Sequence, residues 1–128
     1  MRITVTSVMV DDQRKALKFY TEILGFQLKR DVPLGEHSWL TEVSKEEPDG
    51  VELLLEPSGF EPAIVYRKAL YEAGIPATVF SVTDLPKEFD RLKNLGVQFT
   101  KEPEQMGTVI LAVFDDTCGN TIQIAQTL

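Results

Sequence analysis

VTSVMVDDQRKALKFYTEILGF, Val5 to Phe26, decides the fold, because the chain writes it a second time as ATVFSVTDLPKEFDRLKNLGVQF, Ala77 to Phe99. Each copy holds a β-rich stretch, an Asp able to cap a helix, an amphipathic run, a Gly and a second β-rich stretch. Asp12 to Asp84 is an offset of 72 and Gly25 to Gly96 an offset of 71, so the copies differ by a single one-residue slip. A repeated unit has to be settled first, because it fixes the architecture. In the first copy Val5, Val8, Met9 and Val10 favour a strand. Asp11 or Asp12 can accept from the free N–H groups of a first helical turn. Ala16, Phe19, Tyr20, Ile23 and Leu24 then fall on one face of a 3.6-residue helix, and Gly25 suits the positive-φ residue that ends it. In the second copy Asp84 caps, Pro86 fits the first turn, Leu85, Phe89, Leu92 and Leu95 form the apolar stripe, and Gly96 closes.

Outward from these copies, the first unit continues with strands over Phe26 to Val32, His37 to Ser44 and Val51 to Glu56. The turn between the last two holds Asp49-Gly50, a tight-turn dipeptide. Pro62 opens a connecting helix that runs to Ala73, with Tyr66, Ala69, Leu70 and Ala73 on one face, and Gly74 and Pro76 end it. The second unit repeats the order. Its strands cover Ala77 to Val82, Val97 to Lys101, Thr108 to Phe114 and Thr121 to Thr127, with a loop over Pro103 to Gly107. The expected architecture is α+β, one domain over 1–128. It comprises two tandem βαβββ modules, about 3–57 and 76–127, joined by a helix over about 62–74. Their mixed sheet carries helices on one face only. The uncovered face then has to be buried by the other module, a second chain or a ligand.

Composition narrows the function. A net charge of −7 with scattered Lys and Arg argues against a nucleic-acid backbone as partner. No apolar run reaches bilayer length, and the start MRITVTSVMVDD lacks a signal peptide's apolar core, so a soluble cytoplasmic protein is expected. The single cysteine, Cys118, rules out an intrachain disulfide. It sits in the turn Asp115-Asp116-Thr117-Cys118-Gly119-Asn120, whose acidic residues disfavour a thiolate.

Strand alternation places candidate site residues on the uncovered face. Val5, Ser7 and Met9 take it in the first strand and Glu52, Leu54 and Glu56 in the fourth. Ala77, Val79 and Ser81 follow in the second module, with Gln123 and Ala125 in its last strand. Glu52 and Gln123, 71 apart, read as repeat mates. His37, the only histidine, alternates with Trp39, Thr41 and Val43. Glu52 has two readings. It is a general base with its pKa raised by apolar surroundings, or a carboxylate bonded across the face to Ser7, Ser81 or Gln123. Trp39 is either core or a stacking platform. His37 is either a solvated residue beside a turn or, together with Glu52 and Glu56, part of a non-standard metal site.

The segments VDDQRKALKFYTEILGF and VTDLPKEFDRLKNLGVQF and the ending FDDTCGNTIQIAQ resemble the vicinal oxygen chelate superfamily. That superfamily takes in glyoxalase I, bleomycin resistance proteins and extradiol dioxygenases. The resemblance covers nearly the whole chain and includes the duplication. It implies paired modules curved into a cup with the helices outside, in a homodimer. Metal-using members place a His on the first strand of a module and a carboxylate on its last. By motif those positions fall here on Val5, Glu52, Ala77 and Gln123. Two aliphatic side chains and an amide leave no set able to grip Zn²⁺, Ni²⁺ or Fe²⁺. The resemblance then implies a binding protein without cofactor that takes a small organic molecule, with Glu52, Glu56 and Gln123 as polar anchors. The chain's negative charge suits a cationic ligand. The alternatives are a lactoylglutathione lyase-like lyase, an isomerase or a dioxygenase with a divalent metal, and a sensor whose cup is filled by Met9, Trp39 and Leu54.

Overall fold

A computed structural model describes all residues, 1–128. The chain divides into two compact units, Met1–Ile64 and Val65–Leu128. In the first, β1 (Val5–Val10) leads to α1 (Gln13–Lys18), then β2 (Gln27–Leu34), β3 (His37–Val43) and β4 (Glu52–Pro57). Helix α2 (Glu61–Ala73) crosses the division. The second unit holds β5 (Thr78–Ser81), α3 (Leu85–Asn94), β6 (Phe99–Met106), β7 (Val109–Asp115) and β8 (Thr121–Thr127). Each unit builds its own four-stranded sheet, in the orders β1-β4-β3-β2 and β5-β8-β7-β6. In each, the first and last strands pair in parallel and the other neighbours are antiparallel. This is the duplicated α+β architecture expected from the repeat.

Both helix starts follow from their aspartates. Asp12 Oδ1 accepts from the backbone N–H groups of Arg14 and Lys15 at 2.9 and 3.0 Å, and Asp84 Oδ1 from that of Lys87 at 3.2 Å. Gly25 and Gly96 both sit at φ +89°, which L side chains rarely adopt. The one-residue slip has a physical seat. After Lys18 the helix widens into a π turn over Phe19–Ile23, in which the Leu24 N–H reaches the Phe19 carbonyl five residues back at 3.1 Å. A π turn is one residue inserted into an α-helix, and α3 has none. The offset then returns to 72 between Gly35 and Gly107, the turn glycines of the β2–β3 and β6–β7 hairpins. In β6 the register shifts twice, between Phe99 and Lys101 and between Lys101 and Glu104, against a single shift in β2. The second bulge, around Pro103, takes up the residue that the π turn had added to the first copy.

Several elements differ from the sequence reading. Pro33 does not end β2, and the segment Pro103 to Gly107 is not a loop, because β6 runs on to Met106. Both strands lie at the edge of their sheets, where a proline can leave its missing N–H on the unpaired side. The face of α2 that carries Tyr66, Ala69, Leu70 and Ala73 is not the buried one. Tyr66 is 59% exposed, and Arg67 is the one residue of the helix that is buried. Its Nη1 donates to the Gly119 carbonyl at 3.3 Å, and the Tyr71 hydroxyl donates to Asp115, so α2 makes polar contacts with the rest of the second unit. Leu95 is likewise exposed, while Leu85 and Leu92 hold α3 to its sheet. The core of the first unit is Val8, Val10, Ala16, Tyr20, Leu40 and Leu55. That of the second is Leu85, Leu92, Ala112, Phe114, Ile122 and Ile124.

Candidate functional site

In each unit one face of the sheet takes the helix, and the other carries the candidate residues. In the first unit Val8, Val10, Leu53 and Leu55 are buried toward α1, as alternation predicts. On the opposite face the ladder sets Val5 beside Glu52, Ser7 beside Leu54 and Met9 beside Glu56. It continues across β3 and β2, with Thr41 opposite Leu54 and Arg30, and Val32 opposite Trp39. Leu54 is buried, but Val5 is 37% exposed, Trp39 38% and Val32 49%. Apolar side chains on three of the four strands are therefore left uncovered.

The polar centre of this face is Glu52. Thr41 Oγ1 donates to its Oε1 at 2.7 Å and Arg30 Nε to the same oxygen at 3.1 Å. The Thr41 hydrogen bond, more than the Arg30 charge beside it, holds the Glu52 carboxyl below the usual carboxylate range. Both expectations for Glu52 are thus corrected. Its pKa is lowered, not raised, which weakens it as a base, and its partners are Thr41 and Arg30 rather than Ser7, Ser81 or Gln123. The carboxylate expected to anchor a cation is already neutralised. The face of Arg30 cannot be found by alternation. Leu28 pairs with Glu42 and Arg30 with Thr41, so a bulge at Lys29 turns Arg30 to the face opposite Leu28.

His37 does not join this group. It lies at the hairpin end of β3, opposite Leu34, and its Nε2 is 3.7 Å from where a β-carbon on Gly59 would stand. The ladder puts Thr41 opposite Leu54, so Glu52 is displaced from His37 by six residues of extended strand, about 20 Å. The non-standard site of His37, Glu52 and Glu56 is not assembled.

The second unit corrects the repeat mates. β3 and β7 are related by 72, but the loop before β4 holds residues 44–51 and that before β8 only residues 116–120, three fewer. The offset between β4 and β8 is therefore 69, in agreement with Leu54 opposite Thr41 and Gln123 opposite Val113. Gln123 corresponds to Leu54, and Glu52 corresponds to Thr121. Gln123 pairs with Val79 on β5, whereas Ala77 bonds through its N–H to the Thr121 carbonyl at 2.8 Å. Ala77 and Gln123 are not ladder neighbours. Thr121 Oγ1 is buried and without a hydrogen-bond partner, while Val79 is 53% exposed.

The donors at the family's metal positions do not fit a metal ion. Val5 and Ala77 have no lone pair, Glu52 is engaged by Thr41 and Arg30, the second unit offers only the Gln123 amide or, at the place of Glu52, the Thr121 hydroxyl, and nowhere do three or more His, Cys, Asp or Glu side chains converge to hold one. The shorter loop of the second unit is structural. Asp116 is fully buried and its Oδ1 accepts from the N–H groups of Cys118 and Asn120 at 2.7 and 3.0 Å. The Arg67 guanidinium lies over Gly119.

Comparison with known proteins agrees with this architecture. The family model described as Glyoxalase/Bleomycin resistance protein/Dioxygenase superfamily matches residues 2–124. The protein YurT of Bacillus subtilis is 56% identical over 126 residues, covering 98% of this chain and 99% of YurT. A probable lactoylglutathione lyase of Synechocystis sp. is 30% identical over 127 residues, 95% of this chain and 92% of that one. Among solved structures, TnmS3, an antibiotic binding protein from Streptomyces sp. CB03234, superposes with a TM-score of 0.76 at 25% identity, covering 100% of this chain and 97% of that one.

Proposed function

The chain belongs to the Glyoxalase/Bleomycin resistance protein/Dioxygenase superfamily, and from that premise we propose that it binds a small organic molecule without a catalytic metal. The observation that carries this reading is the uncovered face of the first sheet. There Val5, Val32 and Trp39 remain open to solvent around a polar centre in which Glu52 is paired with Thr41 and Arg30. An apolar, partly aromatic surface with a few fixed polar groups is what small-molecule sites are made of. Val79 and Gln123 offer a smaller surface of the same kind on the second sheet. The likeness to an antibiotic binding protein supports binding over turnover. The donor set at the family's metal positions, in which only Glu52 is a strong ligand, supports the absence of a metal. On this reading the protein is a homodimer, which sedimentation tests directly.

Trp39 is the only tryptophan, so its fluorescence reports on the site without ambiguity. Titration with a panel of planar aromatic compounds is expected to quench or shift its emission saturably. A Trp39→Leu variant should bind the same compounds more weakly by calorimetry. Elemental analysis of protein purified without chelator should find no stoichiometric Ni, Zn or Fe. A full equivalent of any of these that is lost in Glu52→Ala would turn the reading toward a lyase or dioxygenase.

A further inference from the structure

We propose that the ligand of the first sheet's uncovered face is a planar aromatic carrying an anionic oxygen, with Arg30 as its anchor and Trp39 as its platform; this rests on the small-molecule reading above. Net charge points the other way, since a chain at −7 suits a cation. Local geometry decides otherwise. Of the paired charges Arg30 and Glu52, the carboxylate is the hidden one. The Glu52 side chain is 14% exposed and the Arg30 side chain 54%. Glu52 Oε1 accepts from both Thr41 and Arg30, so the carboxylate's charge is compensated within the protein before any ligand arrives.

Arg30, by contrast, spends only its Nε–H. A guanidinium has five N–H donors, and the four on its Nη atoms have no partner in the protein. These four form the fork that meets a carboxylate, phenolate or enolate in two parallel bonds. Glu52 is in turn fixed by Thr41, so the fork is held in place before a ligand arrives, which reduces the entropy lost on binding.

Trp39 lies at the right distance. Arg30 is opposite Thr41, and Trp39 is two residues further along β3 on the same face, opposite Val32. Arg30 and Trp39 are thus diagonal neighbours, about 7–8 Å apart at the backbone and within reach for long side chains. A ligand with a fused ring system on the indole places an oxygen substituent over the guanidinium. Val32, opposite Trp39, borders the ring with apolar surface.

Three probes of one shape and different charge test this: 2-naphthoate, 2-naphthol and 2-naphthylmethylammonium, each titrated against Trp39 emission in low-salt buffer at pH 7. The wild-type chain is expected to bind naphthoate at least tenfold more tightly than the ammonium compound. Arg30→Gln is expected to erase that preference, because it removes the charge and the fork from an exposed position. Ammonium binding as tight as naphthoate binding in the wild-type chain overturns the proposal, and this comparison needs no variant. So does an Arg30→Gln protein that keeps the preference. If all three probes bind alike, the anionic ligand falls and the small-molecule site stands. If none of them perturbs Trp39 emission or the amide resonances of β3 up to millimolar concentration, both fall.

Discussion

Glu42 presents a case in which burial alone sets a measurable pH dependence. It lies on β3 opposite Leu53, on the side of the sheet that faces α1, and is 1% exposed. Neither carboxyl oxygen has a hydrogen-bond partner. Loss of water with nothing in its place pushes the carboxyl from 4.5 up to about 8. An acid whose pKa is higher when folded holds its proton more tightly in the native state. Its contribution is complete below pH 4.5 and is lost as pH rises toward 8, where the folded group ionises. At about 1.4 kcal/mol per pH unit, the Glu42 contribution should fall by roughly 2–3 kcal/mol between pH 5 and pH 7 and by roughly 4 kcal/mol by pH 9. That is a large part of the ~5–15 kcal/mol that holds a domain together. The residue at the same ladder place in the second unit is Phe114, opposite Ile122 and fully buried, so the position accepts an apolar side chain. Glu42→Leu should therefore be more stable than wild type at every pH, by about 1–3 kcal/mol even at pH 5, because an unpaired polar group is removed. The gain should grow with pH. Glu42→Gln keeps the shape and removes the titration. The assay is urea unfolding at pH 5, 7 and 9, read as the difference between each variant and wild type so that other titrating groups cancel. Stability–pH curves for wild type and Glu42→Gln that run parallel from pH 5 to 9 would refute the reasoning, because the carboxyl would then have a partner or titrate at its ordinary value.

Two further perturbations address the site and its supports. Thr41→Val removes the hydroxyl that donates to Glu52 Oε1 at 2.7 Å. It should raise the Glu52 pKa, read by carboxyl carbon shifts, and lower stability at neutral pH by about 1 kcal/mol. The Glu52 carboxyl is depressed in the folded state, so its stabilising share is present above the unfolded pKa and fades as pH falls through the folded one. The variant's deficit should shrink in acid, and a deficit that is constant down to pH 3 would contradict the assignment. Gly119→Ala puts a β-carbon 1.7 Å from Arg67 Nη1 at a residue with φ +91°. It should lower stability by more than ~2 kcal/mol through backbone strain and displacement of the buried guanidinium. A melting temperature within 2 °C of wild type, on the scale of roughly 4 °C per kcal/mol for small domains, would show that Arg67 moves aside freely.

Much of this could be read from the chain before any coordinates. Caps and turn residues are local, so Asp12, Asp84, Gly25 and Gly96 announce helix ends without reference to the rest of the molecule. Alternation along β1 and β4 is a two-residue period, so the faces of Val8, Val10, Leu53 and Leu55 followed from spacing alone. Edge position cannot be read that way. Pro33 and Pro103 look like strand breakers until the sheet order places them on outer strands. The packed side of α2 was also out of reach, because a buried arginine over a glycine carbonyl does not follow hydrophobic periodicity.

The candidate site was misread for a related reason. Every inserted residue carries all later positions with it, and this chain contains insertions of three kinds. A π turn lengthens the first helix, bulges lengthen β2 and β6, and residues 44–51 lengthen the turn before β4. The first two cancel, so the repeat looks uniform, and an offset of 71 carried into β8 matches Glu52 to Gln123. The true offset there is 69, and an error of two residues preserves the face of a strand while changing the neighbour. Gln123 was therefore placed on the correct side and given the wrong mate. At Lys29 the error was of one residue, which exchanges the faces. That single bulge turns Arg30 toward Glu52. A carboxylate that looked like a free anchor for cations thus becomes the seat of an exposed guanidinium, and the ligand charge to be tested changes sign with it.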